Sequence, residues 1–472
     1  MTGTSGTTMR VPHVYVIIAA MIVLTALASL VIPPGSYDRD GDGSRPRVVP
    51  GTFRYDADRA SDPGAEPPPG RPTGARLGGM VLTAPIRGIV STADIVAFIL
   101  VVGGAFKVID RTGAFHAVIH GTVRAFRNRP GLLIAISMLL FSIGGAVFGM
   151  SEEVIPFVLL LVPLVRALGY DELIAVAIPV VGSGVGFAGA MLNPFTLGIA
   201  QSIAGLPPNS GWEFRTGVWV AVTTLGIAWV LHASRTVRVA PSEPDADGPA
   251  TTSAGRLDGS KIAVLVALAT AILVLVLGVR SYGWYVVEIG AVFLALGVAA
   301  GIVSRMGGSR IAEAFVEGAR ELLPAALVVG LARGVVLVAD ETRTLDTVLH
   351  AGASALEGVH GAVSLSLMFV FQSLLNFFLP SGSGQAALTM PIMAPLADLV
   401  GVSRQMAVLA FQFGDGFSNL IIPTGTMLMG SLGAAKIPYE RWFRFAWPLQ
   451  AWLALFAATV LTLAYVVGFG VG

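Results

Sequence analysis

Residues Asn376 to Ser431 read "NFFLPSGSGQAALTMPIMAPLADLVGVSRQMAVLAFQFGDGFSNLIIPTGTMLMGS". The stretch is apolar enough to lie in a lipid bilayer, yet two polar, glycine-rich segments interrupt it, SGSGQ at Ser381–Gln385 and GDGFSN at Gly414–Asn419. Inside hydrocarbon every backbone N–H and C=O group needs a hydrogen-bond partner, so irregular backbone is tolerated there only where protein or a water-filled cavity surrounds it. We therefore expect a binding site at these two breaks.

The composition is typical of a helical membrane protein. The chain has 472 residues, of which 54% are hydrophobic and 12% are charged, and its mean hydropathy is +0.77. Soluble proteins carry about 25% charged residues. The apolar runs are continuous, with no alternation between apolar and polar residues, which favours helices over a β-barrel. The predicted fold class is an all-α polytopic membrane protein in contact with the lipid bilayer.

Residue types that several chemistries require are missing from the sequence. The chain has no Cys, which excludes disulfides, thiol catalysis and thiolate metal sites. Of the six His residues only His116 and His120 have i, i+4 spacing, and no acidic third metal ligand lies nearby. The sequence also lacks a P-loop and a GxSxG motif. We predict no enzyme activity, no cofactor and no nucleic-acid partner. If the protein transports a solute, the energy would come from a gradient of Na⁺, H⁺ or solute.

Apolar runs and polar segments divide the chain into five predicted parts. The first span and a long polar extracytoplasmic loop occupy residues 1–90, and a polar cytoplasmic linker occupies residues 234–260. Two scaffold spans and an interfacial helix occupy residues 261–320. The first repeat, residues 91–233, has a hairpin at about 131–168 and a broken helix at about 172–204, and the second, residues 321–472, has a hairpin at about 361–399, a broken helix at about 403–434 and the last span.

The two predicted repeats match in three separate segments. "FILVVGGAFKVIDRTG" reads against "ALVVGLARGVVLVADE", "VPLVRALGYDELIAVA" against "APLADLVGVSRQMAVL", and "GVGFAGAMLNP" against "GDGFSNLIIP". All three matches share an offset of about 230 positions, so they form one alignment and indicate an internal duplication.

Basic residues orient the two repeats in the membrane. Arg111, Arg124, Arg127 and Arg129 lie in one short connection, which the positive-inside rule places in the cytoplasm. Counting spans from there makes the two repeats enter the membrane from opposite faces, each with a re-entrant hairpin and a broken transmembrane helix. The count gives about nine full spans and two hairpins, with the N-terminus in the cytoplasm and the C-terminus outside.

Four ionisable side chains are predicted at membrane depth, where a charge is costly and usually functional. They are Glu152 and Glu153 at the first hairpin tip, Asp415 in the second broken helix, and Arg333 in a span of the second half. A structural ion pair of Arg333 with one acid is the alternative. Adjacent glutamates cannot point the same way on a helix, so one of the two would face the site.

Hydroxyl and amide groups at the tips and breaks complete the predicted site. A single Ser or Thr in a membrane helix often bonds its own backbone, but the concentration of these groups at paired breaks favours ligand binding. Helix N-termini at the tips would favour a carboxylate, and unwound carbonyl groups would hold Na⁺. The candidates are Ser151, Asn193, Ser381, Ser383, Gln385, Ser418, Asn419 and Thr424.

The motifs "FGMSEE", "SGSGQAALTMP" and "FQFGDGFSNLIIPT" resemble those of the YfcC/ArcD-type branch of the C4-dicarboxylate anaerobic carrier (DcuC-like) family, in the ion transporter superfamily. The resemblance covers nearly the whole chain. It implies a secondary carrier of the inner membrane whose transport domain moves against a scaffold domain as an elevator, commonly as a homodimer. The family name suggests dicarboxylates, whereas members of this branch are linked to basic amino acids such as arginine and ornithine.

The charges of the predicted site favour an amino acid as substrate. Three acids opposed by Arg333 alone make a net negative pocket, in which like charges repel. An amino acid would place its cationic group at the acids and its α-carboxylate at Arg333 or a hairpin N-terminus. We predict a secondary transporter of small organic ions, working by exchange or by Na⁺ or H⁺ coupling. The alternatives are a Na⁺- or H⁺-coupled mono- or dicarboxylate symporter, a channel, which needs a continuous pore, and a membrane enzyme.

Overall fold

The computed structural model describes residues 14–40, 47–59, 74–126, 128–207, 209–240, 258–282, 284, 286–356, 358–359 and 361–470. Helices dominate these ranges, which confirms the predicted all-α class. Two antiparallel strand pairs are added in the segment after the first helix, β1 Gly35–Ser36 with β4 Arg54–Tyr55 and β2 Arg39–Asp40 with β3 Arg47–Val48.

The helices of the first half begin with α1 Val14–Val31 and the short α2 Asp56–Arg59. There follow α3 Gly74–Ser91, α4 Ala93–Arg111, α5 Ala114–Phe126, α6 Pro130–Phe148, α7 Ile155–Ala167, α8 Glu172–Ala188, α9 Ile199–Ile203 and α10 Trp212–Ala233. Two helices, α11 Gly259–Tyr282 and α12 Val286–Val303, connect the halves. The second half comprises α13 Gly308–Glu341, α14 Thr344–Leu356, α15 Ala362–Phe378, α16 Gly382–Leu399, α17 Arg404–Ser418, α18 Thr426–Ala434 and α19 Tyr439–Val466.

Several helices are long and apolar enough to cross a membrane. In the described residues five helices meet this criterion, or six if α3 and α4, which are bent by 60° at their junction, form one span. Further apolar helices are shorter, among them α8 and α15. The predicted count of about nine spans includes such short and broken helices, so it stays a prediction.

The prediction of a polar loop over residues 34–90 is wrong for Gly74–Ser91, which form α3. Arg76, Pro85 and Arg87 interrupt the apolar pattern there and hide the helix in the sequence. In the structure Gly88 packs against the backbone of Gly330 on α13, and Arg87 pairs with Glu341. Tertiary packing therefore stabilises a helix that the local helix propensity and the apolar pattern do not predict.

The predicted interfacial helix and the predicted span from Leu322 to Val338 are one continuous helix, α13, of 34 residues. Pro324 lies inside it without ending it. The backbones of Gly103 on α4 and Gly318 on α13 touch, so α4 packs closely along the N-terminal part of α13. We attribute the continuity of α13 to this contact, which supports the helix on the N-terminal side of the proline.

The order of helices in the second half repeats that of the first. In each half a 13-residue helix, α5 or α14, precedes a hairpin, α6–α7 or α15–α16, a broken helix, α8–α9 or α17–α18, and a long last helix, α10 or α19. The turns before α8 and α17 also correspond. Gly169 and Gly401 have φ of 80° and 74°, and Asp171 and Ser403 cap the helices that follow. The inverted orientation of the halves in the membrane stays a prediction.

The centre of the molecule is formed by α8 and α17, which are buried over almost their whole lengths. Gly184 of α8 packs against Leu420, and Gly416 of α17 packs against Ala188. Counted from the corresponding turns at Gly169 and Gly401, which are 232 positions apart, Gly184 corresponds to Gly416 and Ala188 to Leu420. Each half thus offers the same patch to the other, which is the contact pattern of a two-fold axis.

Candidate functional site

Each broken helix is interrupted close to this central crossing. After α8 ends at Ala188, Asn193 starts a π-helical turn at Pro194–Gly198, and its Oδ1 accepts hydrogen bonds from the backbone N–H groups of Phe195 at 2.9 Å and Thr196 at 3.3 Å. In the second half the chain between α17 and α18 contains Pro423, which cannot donate a helical hydrogen bond.

The first hairpin tip contacts the break of the second half. Gly149 ends α6 in the left-handed region, with φ of 70°, and Glu152–Val154 form a 3₁₀ turn. The hydroxyl group of Thr426, at the start of α18, donates a hydrogen bond to Glu152. Glu153 instead folds back, and its Oε2 accepts from the backbone N–H of Ser151 at 2.7 Å. The two adjacent glutamates therefore make different contacts, and it is Glu152 that reaches the other half.

The second hairpin tip contacts the break of the first half. Ser381 caps α16, and its hydroxyl oxygen accepts from the backbone N–H of Gly384 at 3.3 Å. A methyl group in place of the Gly382 hydrogen would lie 2.5 Å from Cγ2 of Thr196 and 2.7 Å from Oδ2 of Asp415. Only glycine fits between these side chains, so the second tip, the first break and α17 meet at one point.

Asp415 is fully buried in α17 at this junction, with 0% exposure. Its Oδ1 accepts a hydrogen bond from Nδ2 of Asn419 at 3.1 Å, and none of the described residues donates a hydrogen bond to its Oδ2. Nδ2 of Asn376, on α15, donates to the backbone oxygen of Asp415 at 3.0 Å and to the hydroxyl group of Ser418 at 2.7 Å. The backbone around the acid is therefore fixed while one carboxylate oxygen is left for another partner.

Within the described residues, several buried polar atoms at the second tip, the first break and α17 have no hydrogen-bond partner. Leaving such an atom unsatisfied costs about 1–3 kcal/mol, so a group of them in one place points to a ligand, an ion or water. Most are oxygen atoms that can accept a hydrogen bond. They are Oδ2 of Asp415, Oδ1 of Asn376, Oε1 of Gln385 and Oγ1 of Thr196, to which Nδ2 of Asn193 adds a donor.

Most of the predicted site residues lie at the tips and breaks. Ser383 lies in the first turn of α16, and Thr424 donates from its hydroxyl group to the backbone oxygen of Phe377 at 2.9 Å. Arg333 is on α13, and the described part of the chain gives it neither a hydrogen bond nor an ion pair with the tips. The residues that the structure brings to the tips and breaks are Ser151, Glu152, Glu153, Asn193, Ser381, Ser383, Gln385, Asp415, Ser418, Asn419 and Thr424.

Sequence reasoning did not select Thr196, Asn376 or Ser183. Thr196 and Asn376 belong to the group of partly unsatisfied side chains around Asp415. Counted from the corresponding turns at Gly169 and Gly401, Ser183 occupies in α8 the position that Asp415 has in α17, and its hydroxyl group donates to the backbone oxygen of Met150 at the first tip. The sequence match of GVGF with GDGF instead pairs Val185 with the buried acid, so it hides the equivalence of Ser183.

The electrostatic character of the junction is acidic. Within the described ranges, no Lys, Arg or His nitrogen lies within 4.0 Å of a carboxylate oxygen of Glu152, Glu153 or Asp415. The acids instead accept from a hydroxyl group, a backbone amide and a side-chain amide. A ligand with a positive charge and several N–H donors would find negative charge and hydrogen-bond acceptors there that no basic group of the described residues pairs with.

Comparison with known proteins gives matches over nearly the whole chain. Residues 11–466 match the profile of the family described as the C4-dicarboxylate anaerobic carrier. An Escherichia coli K12 protein named "Putative basic amino acid antiporter YfcC" is 36% identical, covering 97% of both chains. An uncharacterised Haemophilus influenzae protein is 32% identical over 80% of this chain and 76% of its own.

Among solved structures, the YdaH transporter of Alcanivorax borkumensis matches with a TM-score of 0.45 at 16% identity. The match covers 98% of this chain and 100% of that one. MtrF of Neisseria gonorrhoeae, described as one of a class of antimetabolite efflux pumps, matches with a TM-score of 0.45 at 17% identity, covering 97% and 96%.

Proposed function

Because the chain belongs to the C4-dicarboxylate anaerobic carrier family and is therefore a multi-pass membrane transporter rather than an enzyme, we propose that it is an exchanger of basic amino acids. The site would be the junction of the two hairpin tips and the two breaks. Arginine, ornithine and lysine are the substrates that we favour, and the name of the E. coli relative supports this class.

One observation carries the proposal. Asp415 beside the second tip, and Glu152 and Glu153 at the first tip, have no basic partner among the described residues, and three neutral side-chain oxygen atoms at the second tip and the first break also lack a donor there. A guanidinium or ammonium group supplies both the positive charge and several N–H donors. It would bind Oδ2 of Asp415 beside Gly382 and Thr196 once the second tip moves away from the first break, because the closed contact leaves no room even for a methyl group there.

Exchange also requires that the site open to each side of the membrane in turn. We propose that the halves are inverted repeats, for which the reciprocal packing of Gly184 and Gly416 is support. The hairpins and broken helices would form a transport domain that moves as an elevator against a scaffold built from the remaining helices. The proposal places the chain in the inner membrane as a homodimer, with the N-terminus in the cytoplasm and the C-terminus outside.

A second candidate is a Na⁺- or H⁺-coupled symporter of mono- or dicarboxylates. The description of the matching family favours it, and the same unpaired oxygen atoms would suit Na⁺. In that case the acids would serve the coupling cations, and the organic anion would enter together with them.

A thermal-shift screen of the purified chain distinguishes the two candidates. We expect arginine, ornithine or lysine to raise the melting temperature without Na⁺, since a ligand that binds only the folded state stabilises it by mass action. At a concentration of about 100 times Kd the stabilisation is about 2.7 kcal/mol. Stabilisation by succinate, citrate or acetate only, and only with Na⁺ present, would contradict the exchanger and support the symporter.

A further inference from the structure

A second buried charge contacts α17 through two glutamine side chains. Arg215, in the first turn of α10, is only 1% exposed. Its Nη1 donates to Oε1 of Gln412 and its Nη2 donates to Oε1 of Gln405 at 3.1 Å. The aromatic ring of Phe469 lies 5.9 Å from the guanidinium carbon. The cation is thus enclosed by neutral groups.

The guanidinium of Arg215 has hydrogen-bonding capacity that the described residues do not use. Its Nε is buried without an acceptor, and no carboxylate oxygen of the described residues lies within 4.0 Å of its nitrogen atoms. Arginine keeps its charge in proteins, and a buried charge without a counter-ion is strongly unfavourable. Amide oxygens are also weaker acceptors for a guanidinium than a carboxylate, which binds two N–H groups side by side.

The duplicated half shows that packing alone does not require this polar cluster. Counted from the corresponding turns at Gly169 and Gly401, Leu173 and Val180 of α8 correspond to Gln405 and Gln412 of α17. Both apolar residues are buried, with 4% and 0% exposure. The same helix position is therefore filled by hydrocarbon in one half and by two amides that hold a cation in the other, so the amides have a role beyond filling space.

The cluster is connected to the candidate site through Gln412. Its Nε2 donates to the backbone oxygen of Ala190, in the first break, at 3.5 Å. Gln412 and Asp415 are one helical turn apart on α17, a rise of about 5 Å along the axis. A substrate whose cationic end is held at Asp415 would therefore extend along α17 toward Gln412 and the cluster.

We propose that Arg215, with Gln405 and Gln412, is the subsite that binds the α-carboxylate of the substrate. This inference rests on the proposed function, in which the cationic end of the substrate is held at Asp415. The carboxylate would bind Nε and Nη2 of Arg215 and displace the oxygen of Gln405, which would keep Nε2 of Gln201 as a donor at 3.4 Å. Arg333, which the sequence suggested for this role, would then not contact the substrate.

Binding of arginine and agmatine to the purified full-length protein tests the subsite, because agmatine keeps the guanidinium group and lacks the carboxylate. In the wild type we expect agmatine to bind at least about tenfold more weakly than arginine. In Arg215→Gln the affinity for arginine should fall to that for agmatine, while agmatine binding is unchanged. Arg404→Gln is the matched control, since Arg404 is a partly exposed arginine on α17 that pairs with Asp398, and it should keep the wild-type preference.

Equal binding of arginine and agmatine by the wild type, or an undiminished preference in Arg215→Gln, would overturn the subsite and leave the exchanger intact. If Arg215→Gln does not fold, Arg215→Lys is tested instead, because lysine keeps the charge but lacks the planar guanidinium group that can bind both carboxylate oxygens. A preference for arginine over agmatine equal to that of the wild type would overturn the subsite. If neither ligand binds the wild type, the exchanger fails, and propionate then tests the subsite alone. Stabilisation of the wild type but not of Arg215→Gln by propionate would support it, and the absence of any effect on the wild type would overturn it.

Discussion

Asp415→Asn is expected to lower basic amino acid transport at least about 100-fold, which corresponds to about 2.7 kcal/mol. The proposed substrate cation binds the carboxylate through Oδ2, to which none of the described residues donates a hydrogen bond, and a neutral amide cannot replace that charge. The fold should survive, because the substitution removes a buried charge and keeps the shape of the side chain. Flux into proteoliposomes and the melting temperature are measured on the same preparation.

Asp398→Asn is the matched control for Asp415→Asn. Asp398 is an acid of the same half whose side chain is 50% exposed and pairs with Arg404. Exposed ion pairs contribute about 0–1 kcal/mol, so this variant should transport within about twofold of the wild type. An Asp415→Asn protein that transports as well as this control would show that Asp415 does not bind the substrate.

Single cysteines at Arg166 and Asp398 are expected to be labelled from opposite faces of the membrane. The two residues are equivalent in the repeat alignment, each lies near the turn that joins a hairpin to a broken helix, and each side chain is 50% exposed. Inverted repeats place equivalent turns on opposite sides, whereas parallel repeats place them on the same side. The sequence has no Cys, so each variant carries one label site.

A membrane-impermeant maleimide applied to intact cells and to inside-out vesicles measures the accessible face. We expect Asp398→Cys to react only in intact cells and Arg166→Cys only in inside-out vesicles, because the first hairpin is predicted to open to the cytoplasm. Reaction of both cysteines from one side would rule out the inverted arrangement and, with it, the elevator built on two opposed hairpins. A double variant with both cysteines, labelled after permeabilisation, controls for reactivity.

The tips and breaks were predictable because their residue types differ from those of the apolar runs around them. Glycine, proline and polar residues in the middle of apolar runs identified Ser381–Gln385 and Gly414–Asn419 without any knowledge of contacts. The common offset of the repeats likewise predicted a recurring order of helices. Local sequence was sufficient for these features because each depends on residues that are close together in the chain.

Features that depend on packing between distant segments were not predictable in the same way. Helix α3 contains Pro85 and charged residues and is stabilised by contact with α13, far along the chain. The sequence selected Arg333 because it lies deep in an apolar run, and it passed over Arg215 because that residue is in the first turn of a span. Burial of Arg215 arises from Gln405 and Gln412, about 190 positions away, which no local pattern connects to it.

Contacts between the halves also lie beyond what the alignment contains. The alignment gives a common order of helices, but it does not say that the first tip meets the second break or that the second tip meets the first. The hydrogen bond from Thr426 to Glu152 and the approach of Gly382 to Thr196 supply that information. Each tip therefore lies against the break of the other half, and the proposed function depends on these contacts.

Counterflow tests the proposed exchange of basic amino acids most directly. Proteoliposomes that contain the wild-type chain are loaded with unlabelled arginine, and a trace of labelled arginine is added outside. We predict that the label accumulates transiently above its equilibrium level, with saturable dependence on outside arginine and without Na⁺, and that liposomes loaded with succinate show no accumulation. Accumulation of labelled succinate instead, dependent on a Na⁺ or H⁺ gradient and indifferent to arginine, would contradict the exchanger and assign the acids of the junction to the coupling cation.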